Sequence, residues 1–252
     1  MRPKFPSAFK LFYAVFEGTT TDVRDRLVAG DDPNARSADG RTPITFAVRS
    51  GRDFSKADLL VESGACIDLW DDLGMQLIHW VTGSIIYDDV NCLTWLLDRG
   101  ADPSSSIRPS RELQLHPVGW TPLHIAADCA SLAATQLLID RHAQINARSA
   151  DGSTALHVAA KKSRVYKRLI RTLLDASADI DAVDSTGRTP LHVLAAGHGR
   201  YRKSAIRLLR SRNARLDSRD ANDLRPVDLV PDDLPASAEI RRLLEVSKNP
   251  QG

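Results

Sequence analysis

Three histidines stand in nearly the same surroundings: His124 in TPLHIAA, His157 in TALHVAA and His192 in TPLHVLAA. A histidine beside a threonine could act as a general base, but a base needs an orienting partner and a reacting group within hydrogen-bond reach. Here the same position recurs along the chain, which points to scaffolding. The paired carboxylates Asp31-Asp32, Asp71-Asp72, Asp88-Asp89 and Asp232-Asp233 could suggest acid–base pairs. Each falls in a turn-rich stretch, where aspartate is a good turn former. His79, His116, His142 and His198 have no partners at metal-ligand spacing, and Cys66, Cys92 and Cys129 are far apart. No GxxxxGK, GxGxxG, HExxH or GxSxG stretch occurs. The expectation is a chain without catalysis, metal or cofactor.

The 252 residues are 42% hydrophobic and 26% charged, which suits a soluble protein with a sizeable core. No apolar run approaches the roughly 18 residues of a membrane span. The stretch MRPKFPSAFKLFYAVFEG has a short apolar core and no small-residue cleavage site, so it reads as folded protein and not as a signal peptide. Three unpaired cysteines fit a reducing, cytoplasmic setting. Charge is uneven: residues 1–150 hold 15 Lys/Arg against 19 Asp/Glu, and residues 151–252 hold 19 against 13.

Self-similarity at a fixed period outranks the other signals. Weaker echoes of TPLH are TPITFAV at 42–48, QLIHWVT at 76–82 and RPVDLV at 225–230. The markers Gly40, Gly74, Gly119, Gly152, Gly187 and Asp223 are spaced by 34, 45, 33, 35 and 36 residues. A second set, Gly30, Gly64, Gly100, His142, Ser177 and Asn213, precedes them by 10 residues in five of six cases; Gly100 to Gly119 is 19. Thr-Pro suits a helix start. A left-handed residue suits the end of a second helix, and His142 and Ser177 fill that place less well, which predicts looser ends there. The 10-residue connection, with Asp-Gly near its tip, reads as a tight β-turn finger.

This pattern resembles the ankyrin repeat, a finger plus two antiparallel helices with TPLH opening the first. The resemblance implies an all-α-dominated solenoid, written as one domain over 1–252. Its repeats are expected at 9–38, 39–71, 72–117 (with an insertion at 103–118), 118–150, 151–184, 185–221 and 222–246. It also implies that the TPLH histidine bonds the threonine at the helix start and the neighbouring backbone. In this family the fingers and inner helices usually form a protein-binding face.

The matching finger positions here include Ser37, Asp39 and Arg41, then Trp70, Asp72, Leu73 and Met75, then Trp120, Asp151 and Arg188. Trp70, Met75 and Trp120 read either as exposed anchors for a partner or as a satellite core covered by the insertion. Arg108 and Arg111 lie in that insertion, PSSSIRPSRELQLHPV, which reads as a partner-contacting loop. Trp80 and Trp95 fall at helical core positions and read as packing.

A second candidate surface is basic and contains tyrosines. Lys161, Lys162, Arg164, Tyr166 and Lys167 occupy one inter-helix turn, and Arg200, Tyr201, Arg202 and Lys203 the next. Such a mixture could hold phosphates or stack bases, or simply be solvated helix surface. The main expectation is a monomeric, non-catalytic protein-binding module, such as a bacterial inhibitor, immunity protein or host-delivered effector. The alternative is a binder of nucleic acid or a phosphate ligand through the basic edge.

Overall fold

Both sets of marker residues adopt left-handed backbone. Gly40, Gly74, Gly119, Gly152, Gly187 and Asp223 have φ of 63 to 82°, and Gly30, Gly64, Gly100, His142, Ser177 and Asn213 have φ of 61 to 91°. The computed structural model describes residues 7–48, 53–83, 90–110, 114–161, 167–198, 202–232 and 236–245. The first marker set closes the fingers. Ser37 N–H donates to the Arg41 carbonyl at 2.8 Å and Gly40 N–H to the Ser37 carbonyl at 2.9 Å. The same pair of bonds closes the fingers at 71–75, 149–153, 184–188 and 220–224.

The second set ends helices. Gly30 N–H donates to Leu27 O and Asp31 N–H to Arg26 O, at 3.0 and 3.1 Å. His142 and Ala143 make the equivalent bonds at 3.0 and 2.9 Å, and Ser177 and Ala178 at 3.0 and 2.9 Å. The looser ends expected at His142 and Ser177 are therefore not found. A Cβ in this conformation costs about 1–2 kcal/mol, and the two satisfied carbonyls offset it.

The chain packs as two compact units, residues 1–122 and 123–252. The first contains α1 (Ser7–Glu17), α2 (Thr20–Val28), α3 (Pro43–Val48), α4 (Ser55–Glu62), α5 (Leu77–Gly83) and α6 (Asn91–Asp98). Within it α1, α3 and α5 pack in one row, and α2 and α4 pack behind α1 and α3. Leu11, Val15, Val23, Ile44, Leu60, Ile78 and Leu96 form its buried core.

The second unit opens within α7 (Pro122–Asp128) and continues with α8 (Leu132–Asp140), α9 (Ala155–Lys161), α10 (Lys167–Asp175), α11 (Pro190–Ala196) and α12 (Arg202–Ser211). It closes with a 3-10 turn (Pro226–Leu229) and α13 (Ser237–Leu244). Here α9 and α11 form one row, and α8, α10, α12 and α13 form another. Ile125, Leu138, Leu156, Ile170, Leu191 and Ile206 are among its fully buried side chains. Among the described residues every element is helical, and none is long and apolar enough to cross a membrane.

Histidine joins one layer to the next in both units. His157 Nδ1 accepts from the Thr154 N–H at 3.2 Å and from its hydroxyl at 2.9 Å, while Nε2–H donates to the Arg188 carbonyl of the next finger at 2.9 Å. His192 repeats this with Thr189 and the Leu224 carbonyl. His79 takes the Gln76 N–H and reaches Ser105 O, and His124 reaches Ser153 O at 3.1 Å. At 225–228 the place is taken by Asp228, whose carboxylate accepts the Arg225 N–H at 2.9 Å. All of these histidines are buried, so their place is in the scaffold.

An imidazole that accepts at Nδ1 and donates at Nε2 must be neutral. Burial pushes all four rings below the ordinary histidine value, His79 to about 4. The unfolded chain binds these protons near the ordinary value of 6.5, and the folded chain binds them only at lower pH. Their stabilisation is thus complete above that unfolded value and is lost as pH falls towards the folded one. The urea midpoint is expected to hold between about pH 8 and 7 and to drop steadily from about pH 6.5 to 4. His157→Ala is expected to lose about 1–3 kcal/mol at pH 7 through its orphaned partners. Both are read by urea titration followed by circular dichroism.

Candidate protein-binding face

The finger residues of the first unit are held in two clusters. In one, Arg41 forms an ion pair with Asp39 and lies with its guanidinium carbon 5.1 Å from the Phe46 ring centre and 5.0 Å from that of Trp80. Burial pushes the Asp39 carboxyl upwards, but hydrogen bonds from Arg41 and Ser37 outweigh it and hold the group below its usual value. Trp80 is half-buried and donates Nε1–H to Asp71 at 2.6 Å. Desolvation raises the Asp71 carboxyl, although the Met75 and Leu73 N–H groups and the Trp80 indole all donate to it. Trp80 is therefore not wholly interior packing and lies beside the finger residue Arg41. Trp95 is interior, as expected: it stacks on Phe54, and Asp58 accepts its Nε1–H at 2.9 Å.

The second cluster is built by the insertion. Ile107 takes the place that Ser37 has in an ordinary finger: its N–H donates to Trp120 O, and Gly119 N–H donates to Ile107 O, both at 2.8 Å. The nine extra residues therefore bulge from a finger closed by the usual bonds. Arg108 N–H donates to Gly74 O at 2.9 Å and Ser110 Oγ–H to Asp72 O at 2.8 Å, so the insertion lies against the preceding finger. A Cβ at Gly74 would fall onto the Arg108 carbonyl, which explains why only glycine fits there. The Arg108 guanidinium carbon sits 3.4 Å above the Trp70 ring centre. Trp70 is half-buried, and its Nε1 finds no hydrogen-bond acceptor among the described residues; stacking holds the ring.

These positions correct part of the anchor reading. Met75 is 2% exposed and Trp120 9%, so neither presents an apolar surface to a partner. Trp120 is covered by His116, whose ring stacks on it at 5.5 Å, and Ile107 is itself 1% exposed. The insertion covers Trp120 as a satellite core. Asp72 and Arg108 remain exposed and Leu73 is half-buried; Arg111 lies outside the described residues.

In the second unit, Asp151 is exposed and accepts from Ser149 and Ser153 of its own finger. Arg188 donates to the buried Asp220 at 3.2 Å and joins successive fingers. The basic edge loses two of its cations. Arg202 is buried and donates to the Ala195 and Gly197 carbonyls, and Lys203 is paired with Glu239 at 2.6 Å. Lys161 and Lys167 are exposed, while Lys162, Arg164, Tyr166, Arg200 and Tyr201 lie outside the described residues.

The family described as Ankyrin repeats (3 copies) matches residues 11–107, 107–184 and 123–220, together most of the chain. The chain belongs to the ankyrin repeat family. Ankyrin repeats are in general protein-interaction scaffolds without chemistry of their own. Among relatives, the chain is 31% identical over 153 residues to the Nuclear factor NF-kappa-B p105 subunit of Gallus gallus, across 60% of this chain and 14% of the relative. It is 34% identical over 153 residues to the Tyrosine-protein kinase HTK16 of Hydra vulgaris, across 60% of this chain and 19% of the relative. The chain thus spans less than a fifth of either relative. Among solved structures, the ankyrin repeat domain of Bcl-3, a member of the IkappaB protein family, matches with a TM-score of 0.74 at 23% identity, covering 93% of this chain and 97% of that one. The human ASB11 ankyrin repeat domain matches at 0.73 and 22%, covering 94% and 97%. At these identities the likeness to the solved structures is one of fold.

What the first unit's finger side offers is arginine over aromatic rings with exposed polar neighbours. Ile107 secures the insertion, so Ile107→Ala is expected to cost about 2–4 kcal/mol of stability. Leu115, 44% exposed on the same insertion, is expected to tolerate serine within about 0.5 kcal/mol. Chemical denaturation of the two variants checks this contrast.

Proposed function

We propose that this ankyrin protein is a non-catalytic binding module that holds one protein partner on the finger side of its first unit. The carrying observation is the pair of arginine–aromatic clusters, Arg41 with Phe46 and Trp80, and Arg108 with Trp70. Arginine and tryptophan dominate binding hot spots because they pair a large flat contact with directional charge. Asp72 and Ser110 supply the polar rim that such patches carry. A module of this kind occupies or tethers its partner, as an inhibitor, immunity protein or delivered effector would. The membership of the ankyrin family supports the binding role.

Asp72→Lys changes an exposed side chain, so its unfolding curve is expected to stay within about 0.5 kcal/mol of the parent. Arg108→Glu also removes the stack on Trp70 and is expected to cost about 1 kcal/mol. Each is expected to weaken the partner captured from source cells at least tenfold, about 1.4 kcal/mol. If both variants bind the captured partner as tightly as the parent, the face is misplaced.

A further inference from the structure

Helix α1 has two apolar faces. Leu11, Ala14 and Val15 are buried against the first unit, and α1 packs on α2 and α3. On the other side Phe9, Tyr13 and Phe16 are 57%, 62% and 72% exposed, at the i, i+4, i+7 spacing of one helical stripe. Three large exposed aromatics on one stripe form a contiguous apolar patch, and such patches mark interaction sites.

The stripe borders a half-open groove of about 490 Å³ between α1 and the first finger, with Phe12 and Phe46 at its floor and Arg36 and Ser37 on the finger side. Phe12 and Phe46 meet edge to face at 5.7 Å. Phe46 is also the ring under Arg41, so the groove runs directly into the cluster proposed above as the binding face. The volume falls within the roughly 300–1,000 Å³ typical of ligand-holding pockets. Its chemistry is one-sided: among the described residues it is lined by five aromatic rings, no carboxylate and a single charged residue, Arg36. Arg36 Nη1 donates to the Gly40 and Trp70 carbonyls at 3.2 and 2.9 Å, which fixes the guanidinium at the groove's edge.

We infer that this groove seats a partner's peptide segment that combines large apolar side chains with an acidic residue beside them, the carboxylate meeting Arg36. The inference rests on the reading of the chain as a protein-binding module. Charge complementarity selects the occupant. A basic segment would meet Arg36 with like charge and find no carboxylate. The same argument disfavours the chain's own first six residues, MRPKFP, which contain Arg2 and Lys4 and no acid.

The test is selection of a displayed library of random peptides, each roughly 16 residues long to match the strand or helix lengths that such grooves hold, on the intact chain. Affinities of the enriched peptides are then measured by fluorescence anisotropy. Enriched sequences are expected to carry aromatic or leucine anchors with Asp or Glu. They are expected to lose at least tenfold in affinity for the Phe9→Ser/Phe16→Ser chain, whose two changes are at exposed positions. Replacing the peptide's acidic residue by Lys is expected to weaken binding similarly. Circular dichroism of the double variant should match that of the parent.

The inference is overturned if no groove-dependent peptide emerges, or if basic sequences are enriched instead. Tighter peptide binding after removal of residues 1–6 would overturn it in favour of the chain's own segment. Sedimentation showing a dimer that the double variant abolishes would overturn it in favour of a second copy. Since Arg108 and Asp72 are untouched in the double variant, failure here together with loss of partner by the Arg108 and Asp72 variants would leave the module reading standing.

Discussion

A neutral imidazole spanning a helix start and the carbonyl of the next finger is the contact on which this architecture turns. It ties the local geometry of one repeat to the position of its successor, as at His157 between Thr154 and Arg188. Each end of the ring satisfies a backbone group that burial would otherwise leave orphaned, and so the ring cannot become charged without losing the bond it accepts. The remaining stitches act in the same direction. Asn34 donates to Gly64 O and accepts from Cys66 N–H, and Asn146 does the same with Ser177 O and Asp179 N–H.

The repeat architecture could be read from the sequence because its constraints are backbone constraints. Residues that must sit at positive φ recur at a fixed offset, and so do the threonine and histidine at the helix start. Which finger residues face solvent was less legible. Trp120 looks like an exposed anchor in a one-dimensional pattern because the pattern does not say where nine extra residues fold. A single side chain decides it: Ile107 enters the core and brings the insertion over its neighbours. The second face of α1 did have a signal, since Phe9, Tyr13 and Phe16 share a stripe distinct from that of Leu11 and Val15. An apolar run of that density hides its second stripe inside what looks like ordinary core.

The positive balance of the second half illustrates how net charge misleads about surface. Arg202 and Arg210 donate to main-chain carbonyls, and Arg212, Arg219, Arg225 and Arg241 pair with aspartates. Guanidinium suits this work because its fork of donors can satisfy several acceptors at once. Much of the arginine there is committed to joining the protein to itself. In the first unit Arg41 and Arg108 instead sit over aromatic rings, and Arg108 stays exposed beside its ring.

The finger that holds the insertion closes with the same two kinds of main-chain bond as its shorter counterparts, from Ile107 to Trp120 and back from Gly119. Chain length at the tip is thereby decoupled from the register of the helices on either side. Such a joint can gain or lose residues over generations without disturbing the stack, because added loop entropy grows only with the logarithm of length. The tip is then where this scaffold can acquire a new specificity while its framework stays the same.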